Sequence, residues 1–286
     1  MLPIQIRDPA QRGIQQIASL CESLMSSEES VLCRCVRTVA NAANEDHKNA
    51  VLLHAEGISA TLVRCLNHVA SAKTKQVIVR AVRVLSNSPE HKRLFREARA
   101  IVSLALLLST ADEDLLKAAA KCLAHFTHGC DAEVASQVRG EDGRGLDRLL
   151  ALMRHGKRSV WEAAMATVVN LSHLDRFRPT LGNAGAVVAL IAALEERDGL
   201  TPKEVAHAVT ALCLYCRESV NRMKLREHGG LRLFIKLLND ASKESLHDRI
   251  VNSLLQFAYD DLGLRVLQHH GIIPCLVGFV ERYTHR

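Results

Sequence analysis

Residues 210–231 read TALCLYCRESVNRMKLREHGGL: the end of a long apolar stretch, a short amphipathic segment and a glycine turn. The same succession recurs every 40 to 45 residues, with turns at Gly13, Gly57, Ala100, Gly145, Gly185, Gly230 and Gly271. Such a period is typical of helical solenoids of the armadillo or HEAT kind. Three helical segments per repeat favour armadillo over the two-helix HEAT repeat. The pattern therefore predicts an all-α, right-handed superhelical armadillo-repeat solenoid.

The turns predict one armadillo domain over residues 1–286, with six full repeats and a partial seventh. The repeat bounds lie near 13–56, 57–99, 100–144, 145–184, 185–229, 230–270 and, for the partial repeat, 271–286. The last repeat holds one helix, Ile272 to Tyr283, whose apolar residues lack the polar cap usual at the end of a solenoid. We expect a fragment of a longer protein; alternatively, the polar residues from Glu281 to Tyr283 already serve as the cap.

Helix start signals support this division. Thr201-Pro202 predicts the start of a helix that continues to Tyr215, because Thr is a good N-cap and Pro suits the first turn. The acidic run Asp112-Glu113-Asp114 predicts another start, since carboxylates complement the positive end of the helix dipole.

The composition limits the classes of partner. Hydrophobic residues make up 48% and aromatic residues 3%, which suits aliphatic helix packing and argues against base-stacking nucleic-acid modules. The net charge of +6 is too small to indicate a phosphate partner alone. The nine cysteines, without a signal peptide or an apolar run long enough to span a membrane, predict reduced thiols in the cytoplasm and nucleus.

The long third helices would line the concave face, on which residues four apart lie together. The aligned pairs are basic in the first three repeats, neutral in the next two and amide-rich in the sixth. Side-chain amides can hold the backbone of an extended peptide, and arginines can select acidic or phosphorylated side chains. The predicted partner-binding groove comprises Arg34, Arg37, Asn41, Arg80, Arg83, Lys121, His125, Asn170, Arg249, Asn252 and Gln256. The alternative is that these charges are merely solvated.

A basic peptide is disfavoured as the ligand. Importin-type armadillo proteins hold basic nuclear-import signals with a Trp four residues before an Asn. Here that position is Arg, Lys, Ala, Thr or Asn, and the single Trp161 is predicted to lie off the face.

No motif indicates catalysis, a metal or a cofactor. Cys122, His125, His128 and Cys130 resemble zinc ligands, but Cys122 and His128 would diverge on a helix. The Cys213–Cys216 pair has no second pair beside it. We therefore predict a binding protein rather than an enzyme, with no cofactor and no metal.

The C-terminal third resembles a specific family. Residues 211–221 (ALCLYCRESVN), 225–231 (LREHGGL), 246–251 (LHDRIV), 257–260 (FAYD) and 271–276 (GIIPCL) are similar to the armadillo-repeat-containing protein five family. The resemblance is clearest over residues 205–280. It implies an armadillo domain that captures substrate, joined to a BTB domain that recruits a cullin-type ubiquitin ligase. It also implies the largest subunit of RNA polymerase II as client.

Three alternatives stay open. The chain could be a generic scaffold or transport receptor that binds an acidic or phosphorylated extended peptide. It could also bind nucleic acid through its basic positions, although the few aromatics argue against this. Self-association is open too, because an exposed flank of a solenoid can pair with another copy.

Overall fold

The computed structural model describes residues 28–45, 49, 53 and 57–284, with side chains to residue 281. The regular elements within these ranges are helices, and they repeat in groups of three. We call the three members of a repeat the short, the intermediate and the long helix by their order along the chain, although their lengths vary from repeat to repeat. The long helices are α1 (Glu29–Glu45), α3 (Ala72–Leu85), α6 (Glu113–Thr127), α9 (Arg158–Ser172), α12 (Pro202–Tyr215) and α15 (Glu244–Leu254). The short helices are α4 (Pro89–Glu97), α7 (Ala132–Arg139), α10 (Arg178–Ala184), α13 (Ser219–Glu227) and α16 (Asp261–His269). The intermediate helices are α2 (Ile58–His68), α5 (Ala100–Leu106), α8 (Gly145–Ala151), α11 (Ala186–Glu196), α14 (Gly230–Asn239) and α17 (Ile272–Thr284).

Single turns of 3-10 helix extend or precede some of these elements. They cover Leu107–Ser109, Leu152–Arg154, Asp175–Phe177, Ala241–Lys243 and Leu255–Phe257.

The chain forms two compact units. The first comprises residues up to 129 together with 133–148, and the second comprises 130–132 and the residues from 149 onward. Helices α1, α3 and α6 pack side by side in the first unit, and α9, α12 and α15 do so in the second. The single domain over residues 1–286 stays a prediction.

Two predicted helix starts are confirmed in atomic detail. Thr201 accepts a hydrogen bond from the backbone N–H of Glu204, whose carboxylate in turn accepts from the N–H of Thr201 at 2.6 Å, so that the two form a capping box. The Asp112 carboxylate accepts from the N–H of Leu115 at 2.8 Å at the start of α6. These contacts satisfy backbone donors that the first helical turn leaves without a partner.

The turns agree with the predicted period but not always with the predicted residue. Gly57, Gly185 and Gly271 have φ of 67°, 104° and 78°, as expected of a left-handed turn. Two other turns come one residue early, at Arg99 (φ 62°) and Gly229 (φ 82°), and Gly13 lies outside the described residues.

The glycines at 145 and 230 serve close packing instead of a left-handed turn. A Cβ at position 145 would lie 1.9 Å from the Val138 carbonyl oxygen. At position 230 it would lie 2.4 Å from Leu225 Cδ2. These two intermediate helices begin directly against the preceding short helix, so that only glycine fits.

Each unit has a mainly aliphatic core between its three helix classes. The largest fully buried side chains include Trp161, Phe95, Phe126 and Phe234. None of the described helices is by itself long and apolar enough to cross a membrane. The bent helix pair at residues 175–184 and 186–196 is long and apolar enough when the two are taken together, judged by length and composition alone.

Candidate functional site

The long helices of the first unit present a row of cations to solvent. In α3 the apolar residues Ala81, Val82 and Leu85 point into the core, so that Arg80 and Arg83 are exposed. Helix α3 packs against both α1 and α6. Six exposed cations on these three helices, which we call the basic face, are Arg34, Arg37, Arg80, Arg83, Lys117 and Lys121; Lys73 is also exposed, in the first turn of α3.

A surface cleft lies between α3 and α6, at the centre of the basic face. Its volume is about 360 Å³, and Arg80, Arg83, Lys117 and Lys121 line it beside the single carboxylate of Asp114. The structure thus brings three of the predicted groove residues together around one opening. Lys117 was not predicted, although it lies four residues before Lys121 and therefore on the same side of the helix.

Within the part of the chain that the structure describes, the cations of the basic face do not take part in the ion pairs found in the first unit. These pairs include Arg93–Glu97, Arg96–Glu133, Arg99–Glu141 and Arg148–Asp142. None of them includes a member of the basic face. Helix α3 has no acidic residue at all, with four cations in the sequence AKTKQVIVRAVRVL. A dense, exposed set of cations of this kind attracts anionic ligands.

Two other predicted residues of the first unit lie apart from the cleft. Asn41 is exposed on α1. His125 is half-buried, and its Nε2 lies 3.1 Å from the carbonyl oxygen of Ser86, the C-cap residue directly after α3. The imidazole therefore joins α6 to the end of α3.

The long helices of the second unit form a different surface. A cleft of about 880 Å³, which we call the polar cleft, lies between α12 and α15. The predicted groove residues Arg249, Asn252 and Gln256 line it together with Thr210 and Leu214, and their role in binding stays a prediction. The Arg249 guanidinium donates to Thr210 Oγ1 across the two helices.

Further residues of the polar cleft were not predicted. Ser245 lies four residues before Arg249, which lies three before Asn252, a spacing that places the three on one side of α15. Asp248 and Arg217 add charges of both signs. The cleft is thus rich in hydroxyl and amide groups and nearly balanced in charge.

Asn170 and Trp161 take other positions on α9. Asn170 is half-exposed near the end of the helix and does not line the polar cleft; its carbonyl oxygen lies 4.0 Å from Cys130 Sγ. Trp161 is fully buried, and the Arg197 guanidinium lies 4.4 Å from its ring centroid. Trp161 therefore does not contribute to an exposed surface.

Three cysteines of the discounted motifs, Cys122, Cys213 and Cys216, are core residues, whereas Cys130 is half-buried. Burial raises the pKa of the Cys122 thiol to about 12 and that of the Cys213 thiol to about 11. Both are therefore protonated at neutral pH and poor metal ligands. Across residues 28–45, 49, 53 and 57–284, no three His, Cys, Asp or Glu side chains are grouped to hold a metal ion.

Comparison with known proteins identifies the sequence family. A model of the ARMC5 armadillo-repeat family matches residues 6–276. Armadillo repeat-containing protein 5 of the mouse (Mus musculus) is 36% identical over 154 residues. The match covers 53% of this chain and 16% of the mouse protein, so the chain spans only a small part of that relative.

Solved structures with a similar fold include designed armadillo proteins. One, computationally designed for modular peptide recognition, has a TM-score of 0.72 and 22% identity and covers 84% of this chain and 99% of its own. Another, YIII(Dq.V1)4CPAF in complex with peptide (KR)4, has a TM-score of 0.70 and 22% identity, with 85% and 99% covered. At these identities the likeness shows the fold alone, which is the predicted all-α armadillo solenoid.

Proposed function

The chain belongs to the ARMC5 armadillo family, and on that premise we propose that it is the substrate-recognition domain of a cullin-RING ubiquitin ligase adaptor. Armadillo repeats of this family indicate a protein-interaction scaffold rather than an enzyme. In the proposal, the domain captures a client, and a BTB domain elsewhere in the full protein recruits the ligase. The proposed client is the largest subunit of RNA polymerase II, and the proposed compartments are the cytoplasm and nucleus.

The observation that supports capture by this domain is the excess of exposed positive charge on the basic face. Arg80, Arg83, Lys117 and Lys121 surround one cleft with a single carboxylate beside them. Arginine and lysine donors form their strongest hydrogen bonds with ionised carboxylates and phosphates. We therefore propose that the captured segment is an extended peptide that is acidic or phosphorylated. It would lie across the row of long helices that form the basic face.

The charge preference is the reverse of that seen in one similar design. The designed armadillo protein YIII(Dq.V1)4CPAF was solved in complex with the basic peptide (KR)4. Such a peptide would meet like charge on the basic face, which disfavours binding. The same fold is thus proposed to select the opposite ligand charge through its surface residues.

Affinity capture from nuclear and cytosolic lysates tests the proposal. The baits are the wild type, the variant Arg37→Glu/Arg80→Glu/Lys121→Glu, and the control Arg64→Glu/Arg139→Glu/Arg144→Glu. The control residues are exposed in the same unit but lie on α2, α7 and the loop before α8. The control variant makes the same change in net charge as the basic-face variant.

The proposal expects the wild type and the control to retain the polymerase subunit and the basic-face variant to lose it. Equal capture by all three would exclude the basic face as the binding site while leaving the client unchanged. Retention of other acidic proteins without the polymerase subunit would favour the generic scaffold and contradict the client assignment.

A further inference from the structure

The cleft between α3 and α6 receives its cations from two facing helices. Arg80 and Arg83 are three residues apart on α3, so both lie on one side of that helix. Lys117 and Lys121 are four residues apart on α6, with the same result. All four are exposed and line one opening of about 360 Å³. This volume is at the lower end of the range for small-molecule sites, so the cleft suits a compact ligand.

The lining has few groups that could hold a neutral ligand or a peptide main chain. Apart from the four cations and one carboxylate, its described residues are Val79, Val84 and Ala118, which have no hydroxyl or amide in the side chain. Each peptide unit carries an N–H donor that needs an acceptor, and Asp114 is the one side-chain acceptor among these residues. Ionised phosphoryl oxygens only accept hydrogen bonds, so they match the guanidinium and ammonium donors of the lining.

The charge of the lining exceeds what a single carboxylate can balance. Four cations and the carboxylate of Asp114 leave a net charge of +3. One carboxylate on a ligand would leave most of this charge without a partner. A phosphoryl group carries about −1.5 to −2 at neutral pH, so that two adjacent phosphoryl groups balance the lining.

We infer that the cleft binds a compact polyphosphate, which is a small molecule with several phosphoryl groups close together. Its oxygens accept hydrogen bonds from Arg80 and Arg83 on one side and from the lysines of α6 on the other. Asp114 opposes binding, because its carboxylate repels the phosphoryl groups. The bound molecule occupies cations that an anionic client needs, and therefore competes with the client. This competition rests on the proposed function, whereas the site rests on the cleft alone.

Isothermal titration calorimetry of the whole chain at low salt tests the site. The probes are inorganic tripolyphosphate and inositol hexakisphosphate, and citrate serves as a compact polycarboxylate for comparison. We expect one polyphosphate molecule per chain, bound at least about tenfold more tightly than citrate. The polyphosphate with the higher affinity identifies the ligand as linear or inositol-based. Absence of polyphosphate binding, or equal binding of citrate, would overturn the inference.

Matched variants locate the bound molecule. Arg80→Gln/Arg83→Gln removes two cations of the cleft. Arg34→Gln/Arg37→Gln removes two exposed cations at the same spacing on α1, outside the cleft. The first variant should weaken polyphosphate binding at least about tenfold and the second less than about threefold. Equal losses in the two variants would contradict a site in the cleft, because binding would then follow the charge of the whole basic face.

A third variant should have the opposite effect. Asp114→Asn removes the carboxylate that repels the ligand, so polyphosphate should bind about twofold to threefold more tightly. Weaker binding would show that the ligand lies away from Asp114 and would count against the site. Circular dichroism checks that each variant is folded, which we expect since all of the substituted residues are exposed.

Displacement of fluorescein-labelled oligoglutamate separates the inference from the proposed function. We expect the better polyphosphate to release this probe from the wild type. Oligoglutamate that stays bound at saturating polyphosphate would overturn the competition. Binding of oligoglutamate but of neither polyphosphate would overturn the inference and leave the proposed function standing. Binding of polyphosphate but not of oligoglutamate would support the site and contradict the proposed anionic client.

Discussion

Arginines of the two units differ in environment, as Arg80 and Arg83 of the first and Arg178 of the second illustrate. In the first, Arg80 and Arg83 are exposed on α3, and the ion pairs among the described residues do not include them. In the second, the side chain of Arg178 is 3% exposed and pairs with Glu218 and Asp175, at 2.7 Å each. Exposed guanidinium groups retain their hydrogen-bonding capacity for a ligand, whereas a buried one requires internal partners. Arg80 and Arg83 are thus available for the proposed ligand binding, whereas Arg178 contributes to stability.

The environment of Arg178 is a connected polar network. The Arg178 Nη1 donates to the Ser172 carbonyl oxygen at 3.3 Å, and Asn221 Nδ2 donates to the Arg178 carbonyl oxygen at 3.3 Å. Ser172 Oγ lies 2.9 Å from the hydroxyl of Tyr215, whose pKa burial raises. The network joins the end of α9, the start of α10 and the start of α13.

The largest expected effect is on stability, from Arg178→Ala. Removal of one partner of a buried ion pair leaves Glu218 uncompensated, which costs about 3 to 5 kcal/mol. Urea unfolding followed by circular dichroism should show a clear loss. Arg80→Ala, the matched exposed arginine, should change stability by less than about 0.5 kcal/mol. Equal losses in the two variants would remove the distinction between the units.

The second expected effect is on binding, from Arg80→Glu/Arg83→Glu/Lys121→Glu. These side chains surround the cleft of the first unit, so their reversal replaces attraction with repulsion. Affinity for a fluorescein-labelled oligoglutamate should fall about a hundredfold, or about 2.8 kcal/mol. Arg249→Glu in the polar cleft should change it less than threefold, because charges there are nearly balanced. A larger effect at Arg249 would assign the acidic ligand to the second unit.

A third expectation concerns salt. Exposed charges are screened by ions, so raising NaCl from about 0.05 M to about 0.5 M should weaken oligoglutamate binding to the wild type by about tenfold or more. The triple variant should show little further loss. Anisotropy titrations at several salt concentrations measure both slopes. A flat response in the wild type would show that the basic face is not the binding surface.

The smallest expected effect comes from Arg99, the one non-glycine residue with positive φ among those described. Arg99→Gly removes the strain of a left-handed backbone and should stabilise the protein by about 0.5 to 1 kcal/mol. The lost ion pair with Glu141 is exposed and contributes little. Arg93→Gly, inside α4, should have the opposite sign because glycine weakens a helix interior. Thermal unfolding compares the two, and destabilisation by Arg99→Gly would contradict the account.

The sequence predicted the elements of the fold and the family well. Caps such as Thr201 with Glu204 fix helix ends through local hydrogen bonds, so their residues can be recognised without the structure. The turns at Arg99 and Gly229 could not be placed exactly. Glycine at 230 is required by contact with Leu225, and such packing is not visible in a local pattern.

The candidate site was predicted only in part. Helical spacing identified Arg80, Arg83 and Lys121 because their positions follow from the long-helix alignment. Lys117 was not predicted, because the alignment takes one pair of residues from each long helix and the pair on α6 is Lys121 and His125. Arg217 and Asp248 line the polar cleft through the packing of α12 on α15, which spacing along one helix cannot show.

The central claim is that the basic face selects anionic ligands, and paired titrations test it most directly. Fluorescein-labelled oligoglutamate and oligolysine of equal length are titrated with the wild-type chain at low salt, and anisotropy is measured. The account predicts that oligoglutamate binds at least about tenfold more tightly, since opposite charges attract across the exposed cleft. Equal binding of the two probes, or tighter binding of oligolysine, would contradict it.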